Sequence, residues 1–175
     1  MTGPTHVPAL TVGVLTVSDR SAAGKREDVS GARIVKWCEE SGYRVEQQAI
    51  VSDETSDIVA VLTRWADAGI DAIITTGGTG LTLRDVTPEA TRAVIDREAP
   101  GISEEIRRKG LDATPHSILS RGLAGTRGRT LIVNLPGSPG GVSDGLAVLT
   151  PVVGHAVALL RGGDAPHGPK RDGHE

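Results

Sequence analysis

Ala72-Ile73-Ile74-Thr75-Thr76 is a short apolar and β-branched run that breaks at once into Gly77-Gly78-Thr79-Gly80. A run this short, with no polar alternation, belongs in a strand covered on both faces, the habit of parallel sheets between helices. Such a sheet needs several strands and the helices that cross between them. Leu10–Val17, Tyr43–Val51 and Thr130–Leu135 supply further strands, and helical periodicity fills the gaps. The first helix is expected from Ser30, as N-cap, to near Ser41, with Ile34, Val35 and Cys38 on one face. The second carries Ile58, Val61, Leu62 and Trp65 and closes at Gly69. Thr87-Pro88-Glu89 reads as N-cap, first helical position and first-turn acid of a helix reaching about Asp96. Pro100-Gly101 punctuates before a helix from Ile102 to about Lys109, and Val142–Leu160 makes a last helix kinked at Pro151. His116 to Ala124 fits neither period. The order β-α-β-α-β-α-α-β-α predicts an α/β fold, a three-layer αβα sandwich with a mainly parallel sheet.

With 175 residues, 38% of them hydrophobic, the chain suits one domain, expected over residues 10–161, with a flexible arm at 1–9 and a disordered Gly, Pro, His and charge-rich tail at 162–175. Two Trp, one Tyr and no Phe leave the core to Val, Ile, Leu and Ala. A net charge of −3 and the lack of aromatic-basic interleaving speak against a nucleic-acid partner. The single cysteine, Cys38, excludes an intrachain disulfide or a multi-thiolate metal site, and its place on an apolar helix face marks it as core. His6, His116, His155, His167 and His174 show no ligand spacing. No basic and apolar leader opens the chain and no apolar run has membrane-spanning length, so a cytoplasmic protein with no membrane partner is expected.

In open parallel sheets, ligands bind outside the carboxyl ends of the strands. The four runs end in Ser18-Asp19, Asp53, Thr76 to Gly80, and Asn134 to Gly141, so these loops should converge on one edge. Gly77-Gly78-Thr79-Gly80 lets backbone N–H groups approach an anion. It matches neither a dinucleotide fingerprint nor a P-loop, lacking the third glycine and the Lys-Ser/Thr pair. Pro136-Gly137-Ser138-Pro139-Gly140-Gly141 offers a second rigid, side-chain-poor surface suited to a flat heterocycle or a phosphate. Asp53 and Asp85 each follow a strand end. A carboxylate beside a phosphate cradle is repulsive unless a cation lies between, which points to Mg²⁺. The plain structural reading is that Asp53 caps the next helix and Asp85 braces its own loop. Ser18, Asp19 and Ser120 are further candidates.

These pieces together resemble the molybdopterin adenylyltransferases of the Mog/MoaB type, which include the G domain of gephyrin. The resemblance is carried by Thr16-Val17-Ser18-Asp19-Arg20, Ser52-Asp53-Glu54, Thr76-Gly77-Gly78-Thr79-Gly80, Arg84 to Thr91, Ile118-Leu119-Ser120-Arg121 and Asn134 to Pro139, spanning roughly residues 10 to 160. It implies a reaction in which the terminal phosphate of molybdopterin attacks the α-phosphorus of ATP with Mg²⁺ assistance, giving adenylyl-molybdopterin and pyrophosphate. It implies a pterin and nucleotide pocket at Ser18, Asp53, Gly77, Gly78, Thr79, Gly80, Asp85, Ser120, Pro136, Gly137 and Ser138, with Asp53 and Asp85 in catalysis or metal binding, and the strand-end residues Asp19 and Thr76 join them as binding candidates. It further implies a homo-oligomer, trimer or hexamer, and a downstream molybdate-insertion protein as partner. Gly110 stands where several relatives have Ser, and Ser138 where some have Asn or Gln. The competing expectations are a molybdopterin-binding scaffold without turnover and a nucleotide pyrophosphatase.

Overall fold

The computed structural model describes residues 9–163; the expected arm and tail fall almost wholly outside the described residues. Strands β1 (Thr11–Val17), β2 (Arg44–Val51), β3 (Ala72–Thr76) and β6 (Thr130–Leu135) form the parallel part of a six-stranded sheet ordered β2-β1-β3-β6-β5-β4. Two short strands that the apolar pattern does not show, β4 (Arg97–Glu98) and β5 (Ala124–Arg127), extend it as an antiparallel edge. Among the described residues seven α-helices accompany the sheet: α1 (Asp19–Ala22), α2 (Val29–Glu40), α3 (Thr55–Asp67), α4 (Thr87–Val94), α5 (Pro100–Gly110), α6 (Pro139–Leu149) and α7 (Val153–Leu160).

Period-2 alternation along the buried strands splits the core into two layers. Val12, Val14, Ile74 and Val133 face Ile34 and Cys38 of α2, Ile106 of α5, Val142, Leu146 and Leu149 of α6, and Val153 and Val157 of α7. Leu15, Val17, Ile73 and Ile132 face Ile58, Leu62 and Trp65 of α3 and Ala90 and Val94 of α4. Each fully buried Ile or Leu stabilises the fold by about 1.5–3 kcal/mol. Gly13 lets the indole of Trp65 lie against the sheet, since a Cβ there would sit 2.7 Å from its Cε3. Cys38 is buried within this core, and burial pushes its thiol up to about 12.

Several expected boundaries shift for identifiable reasons. Asp28, not Ser30, caps α2, its Oδ1 accepting from Gly31 N at 2.8 Å, while the Ser30 hydroxyl donates to the Gly137 carbonyl at 2.9 Å. Val86 takes the cap position of α4, and Thr87, one residue later, donates its hydroxyl to the Gly77 carbonyl at 2.9 Å. Pro100 and Gly101 begin α5 rather than precede it. The expected last helix is two, bent by 58° across the break that contains Pro151. Among the described residues no single helix is long and apolar enough to cross a membrane.

The register aligns the strand ends. Thr16 lies beside Thr76, Thr76 beside Leu135, and Val17 beside Val51. Four loops therefore leave the sheet at one level, and the functional surface is assembled there.

Candidate active site

Gly77 and Gly78 leave β3 with φ of 96° and 65°, the left-handed region closed to most side chains. Space closes it again: a Cβ on Gly77 would lie 2.2 Å from the Val17 carbonyl oxygen, and one on Gly78 2.3 Å from Thr87 Oγ1. The turn is anchored by Gly77 N donating to Leu135 O at 3.3 Å and Thr87 N donating to Gly78 O at 3.1 Å. Thr76, buried, donates its hydroxyl to the Pro136 carbonyl at 2.7 Å, so this side chain fastens the two glycine-rich loops together. The N–H groups of Gly78, Thr79 and Gly80 donate to no acceptor among the described residues. Consecutive unspent N–H groups at the end of a parallel strand form a concavity that favours an anion.

Two cavities open around this turn. One of about 350 Å³ is lined by Ser18, Asp53, Gly77, Gly78, Asp85 and Ser138 among others, and the second, of about 600 Å³, by Thr79, Gly80, Leu81, His116, Ser120 and Pro136 among others. Gly78, Asp85, Gly137 and Ser138 line both, so the compartments meet beside the turn. Of the residues singled out from sequence, all but Asp19 line one or both cavities.

Asp53 and Asp85 both stand against the turn and line one cavity. Asp53 Oδ1 lies 3.2 Å from where a Gly78 Cβ would stand, and Asp85 Oδ2 lies 2.9 Å from the same point on Gly80. Asp53 does not cap α3, whose cap residue is Glu54; its Oδ2 accepts from Asp19 N at 2.8 Å while Asp53 N donates to Asp19 Oδ1 at 3.0 Å. This reciprocal pair joins the loops after β1 and β2. Arg84 completes it, donating to both Asp19 carboxylate oxygens at 2.9 and 3.1 Å and to Glu54 Oε1 at 2.8 Å. The guanidinium holds the Asp19 carboxyl below the usual carboxylate range, so Asp19 serves Asp53 from outside the cavities. Burial pushes the Asp53 carboxyl up, and the neighbouring Asp19 and Asp85 charges add to the rise against the opposing Asp19 N–H and Arg84. Asp85 does brace its loop, its Oδ2 accepting from Thr82 N at 2.9 Å and Thr82 Oγ1 at 2.7 Å, yet it still lines both cavities.

The donor set fits a hard divalent cation held partly by a ligand. Among the described residues no group of three or more Asp, Glu, His or Cys is placed to hold a metal alone. Two carboxylates beside unspent N–H groups are a donor set of the kind Mg²⁺ uses when substrate phosphates complete its shell. His116 and His155 are exposed; the other histidines lie outside the described residues.

Other residues enter the site without having been singled out. Thr16, Ser21, Arg26 and Asp28 line the smaller cavity, with Thr16 Oγ1 donating to Asp28 Oδ2 at 2.6 Å. The polar stretch Ser18–Asp28, long for a connection, was the signal for Ser21, Arg26 and Asp28, and Thr16 had entered only as part of the family motif. Gly110, where a serine might have supplied a hydroxyl, faces Ser117: a Cβ at 110 would lie 2.3 Å from Ser117 Oγ, and both residues line the larger cavity. Ser117 Oγ thus fills the space that a side chain at 110 would need, and it donates to the Arg107 carbonyl at 2.7 Å.

With this geometry described, the relatives are informative. A family model described as a probable molybdopterin binding domain matches residues 13–155. A molybdopterin adenylyltransferase from Helicobacter pylori is 40% identical over 156 residues, 86% of this chain and 88% of that protein. Gephyrin from Dictyostelium discoideum is 39% identical over 159 residues, 85% of this chain. The chain spans only 22% of that gephyrin's length, and 48% of a molybdenum cofactor biosynthesis bifunctional protein from Chlorobaculum tepidum. The crystal structure of the molybdopterin biosynthesis enzyme MoaB from Thermus thermophilus superposes with a TM-score of 0.83 at 49% identity, covering 87% of this chain and 97% of that one. The strand-end turn, its two flanking aspartates and these likenesses over most of the chain place it in the molybdopterin-binding family of Mog/MoaB type.

Proposed function

We propose that this chain is a molybdopterin adenylyltransferase of molybdenum cofactor biosynthesis, transferring the adenylyl group of ATP to the terminal phosphate of molybdopterin. A phosphate oxygen of molybdopterin forms a bond to the α-phosphorus of ATP, the bond from that phosphorus to the bridging oxygen breaks, and pyrophosphate leaves. The observation that carries the reading is the Gly78–Gly80 turn, with three unspent N–H groups beside the Asp53 and Asp85 carboxylates at the meeting of two cavities. The relatives named adenylyltransferase support it.

Both substrates are polyanions, so the work is positioning and charge neutralisation. The backbone N–H groups bind phosphate oxygen, and Ser18 and Ser138 present hydroxyl groups at the cavity wall. Adjoining compartments let two substrates meet at the residues the cavities share. Asp53 and Asp85 would hold Mg²⁺, which when bound neutralises phosphate charge. No covalent enzyme intermediate is required. A homo-oligomer and a downstream molybdate-insertion partner belong to the same proposal.

The test is pyrophosphate release with ATP and Mg²⁺, with and without molybdopterin. Release that depends on molybdopterin supports the transferase. Release without it would make the chain a pyrophosphatase, and molybdopterin binding without release a scaffold.

A further inference from the structure

Asp85 sits on an exposed loop. Leu83, two residues before it, is 99% exposed and Leu81 65%, so no apolar packing fixes the segment between Gly80 and Asp85. A carboxylate that must meet a cation within a fraction of an ångström needs another anchor. The structure shows one in Arg121, on the segment leading into β5. Its Nε donates to the Gly80 carbonyl at 2.7 Å and its Nη2 to the Asp85 carbonyl at 2.5 Å, while Nη1 pairs with Glu89 in the first turn of α4. Its backbone N–H also donates to the Thr79 carbonyl at 2.8 Å. One planar guanidinium thus ties both ends of the loop to the helix that follows it, a fork that lysine cannot reproduce.

We propose that Arg121 is a positioning residue for Asp85: by fastening the Gly80 and Asp85 carbonyls it fixes the loop that presents the Asp85 carboxylate where the cavities meet. Arg84 holds the same loop from the other side, but through carboxylates and with a half-exposed side chain that salt screens. Arg121 is two-thirds covered and binds two neutral carbonyls besides Glu89, so salt screens its hold on the loop less.

The proposal rests on the transferase reading for its catalytic consequence and on geometry alone for its effect on the loop, and two measurements separate these. Arg121→Ala, Arg121→Lys and wild type are compared by amide hydrogen exchange of the ligand-free protein and by steady-state pyrophosphate release. Arg127→Ala serves as control, because Arg127 is equally covered and donates to Asp67 and to the Val94 carbonyl away from the site. In Arg121→Ala, the amides of Thr82 and Asp85, which donate to Asp85 Oδ2 and to the Thr82 carbonyl, should exchange about tenfold faster with other segments unchanged, and kcat should fall at least about tenfold with the KM for ATP within about threefold. Arg121→Lys should lie between, and Arg127→Ala should match wild type in both. Unaltered loop exchange in Arg121→Ala overturns the proposal, as does faster exchange with unaltered kcat. If wild type releases no pyrophosphate, the transferase reading fails, and the loop exchange alone then decides the role of Arg121.

Discussion

Replacing Gly78 by alanine should unfold the turn before it disturbs any ligand. The residue has φ of 65°, where a Cβ costs about 1–2 kcal/mol. That Cβ would also stand 2.3 Å from Thr87 Oγ1, so the hydroxyl must turn away from the Gly77 carbonyl it meets at 2.9 Å. Both groups are enclosed, and losing that bond adds about 1–2 kcal/mol. The sum, about 2–4 kcal/mol, corresponds to a Tm lowered by about 4–16 °C for a chain of this length. Thermal melts followed by circular dichroism measure it. Thr87→Ala in the same background separates the two contributions: with the γ-oxygen gone the new Cβ has nothing to strike and no bond to break, so the double variant should lose less than the sum of the single losses. A Tm within 2 °C of wild type in Gly78→Ala, or strict additivity in the double variant, would refute the reasoning. A bulkier probe such as Gly78→Val is therefore a test of folding as much as of the ligand cradle.

Asp85→Asn keeps an oxygen for Thr82 and removes only the charge, so Tm should move by less than about 2 °C while adenylylation at saturating Mg²⁺ falls at least about a hundredfold; near-normal turnover would remove Asp85 from the mechanism. At the opposite, amino-terminal end of the central strands, Asp71 accepts from Thr11 N at 2.8 Å and from Arg161 at 2.8 and 2.6 Å. Burial alone would raise its carboxyl, but Arg161 and Thr11 outweigh that and hold it below the usual range. Its stabilising contribution is therefore present above the unfolded-state carboxylate pKa and is lost as pH falls through the lowered folded-state value. Asp71→Asn should cost about 2 kcal/mol at pH 7, and the gap to wild type in chemical denaturation should close toward pH 3; a gap independent of pH would contradict the assignment.

The sheet was legible because its central strands are covered on both faces and read as unbroken apolar runs. Strands β4 and β5 were not, since Arg97-Glu98 and Ala124-Gly125-Thr126-Arg127 carry no apolar pattern and owe their conformation to pairing at the edge. Asp28 and Ser30 both suit an N-cap; what decides between them is the Gly137 carbonyl, more than a hundred residues away in sequence. Asp53 and Asp85 stood out because each lies in a loop beyond a strand end, beside the glycine turn, whereas most of the other acids fall on helix faces. Arg121 was quoted only within the family motif and drew no role, because a side chain that binds main-chain carbonyls leaves no spacing to recognise, and it lies in the stretch His116–Ala124 whose period was undecided.

The most direct measurement is calorimetric titration of ATP into wild type and into Asp53→Asn/Asp85→Asn, each with and without Mg²⁺. If the cation joins nucleotide phosphate to the two carboxylates, Mg²⁺ should tighten ATP binding at least about tenfold in wild type. In the double variant, with two negative charges removed beside the turn, ATP should bind as well without Mg²⁺ as with it. The same Mg²⁺ dependence in both proteins would contradict the account.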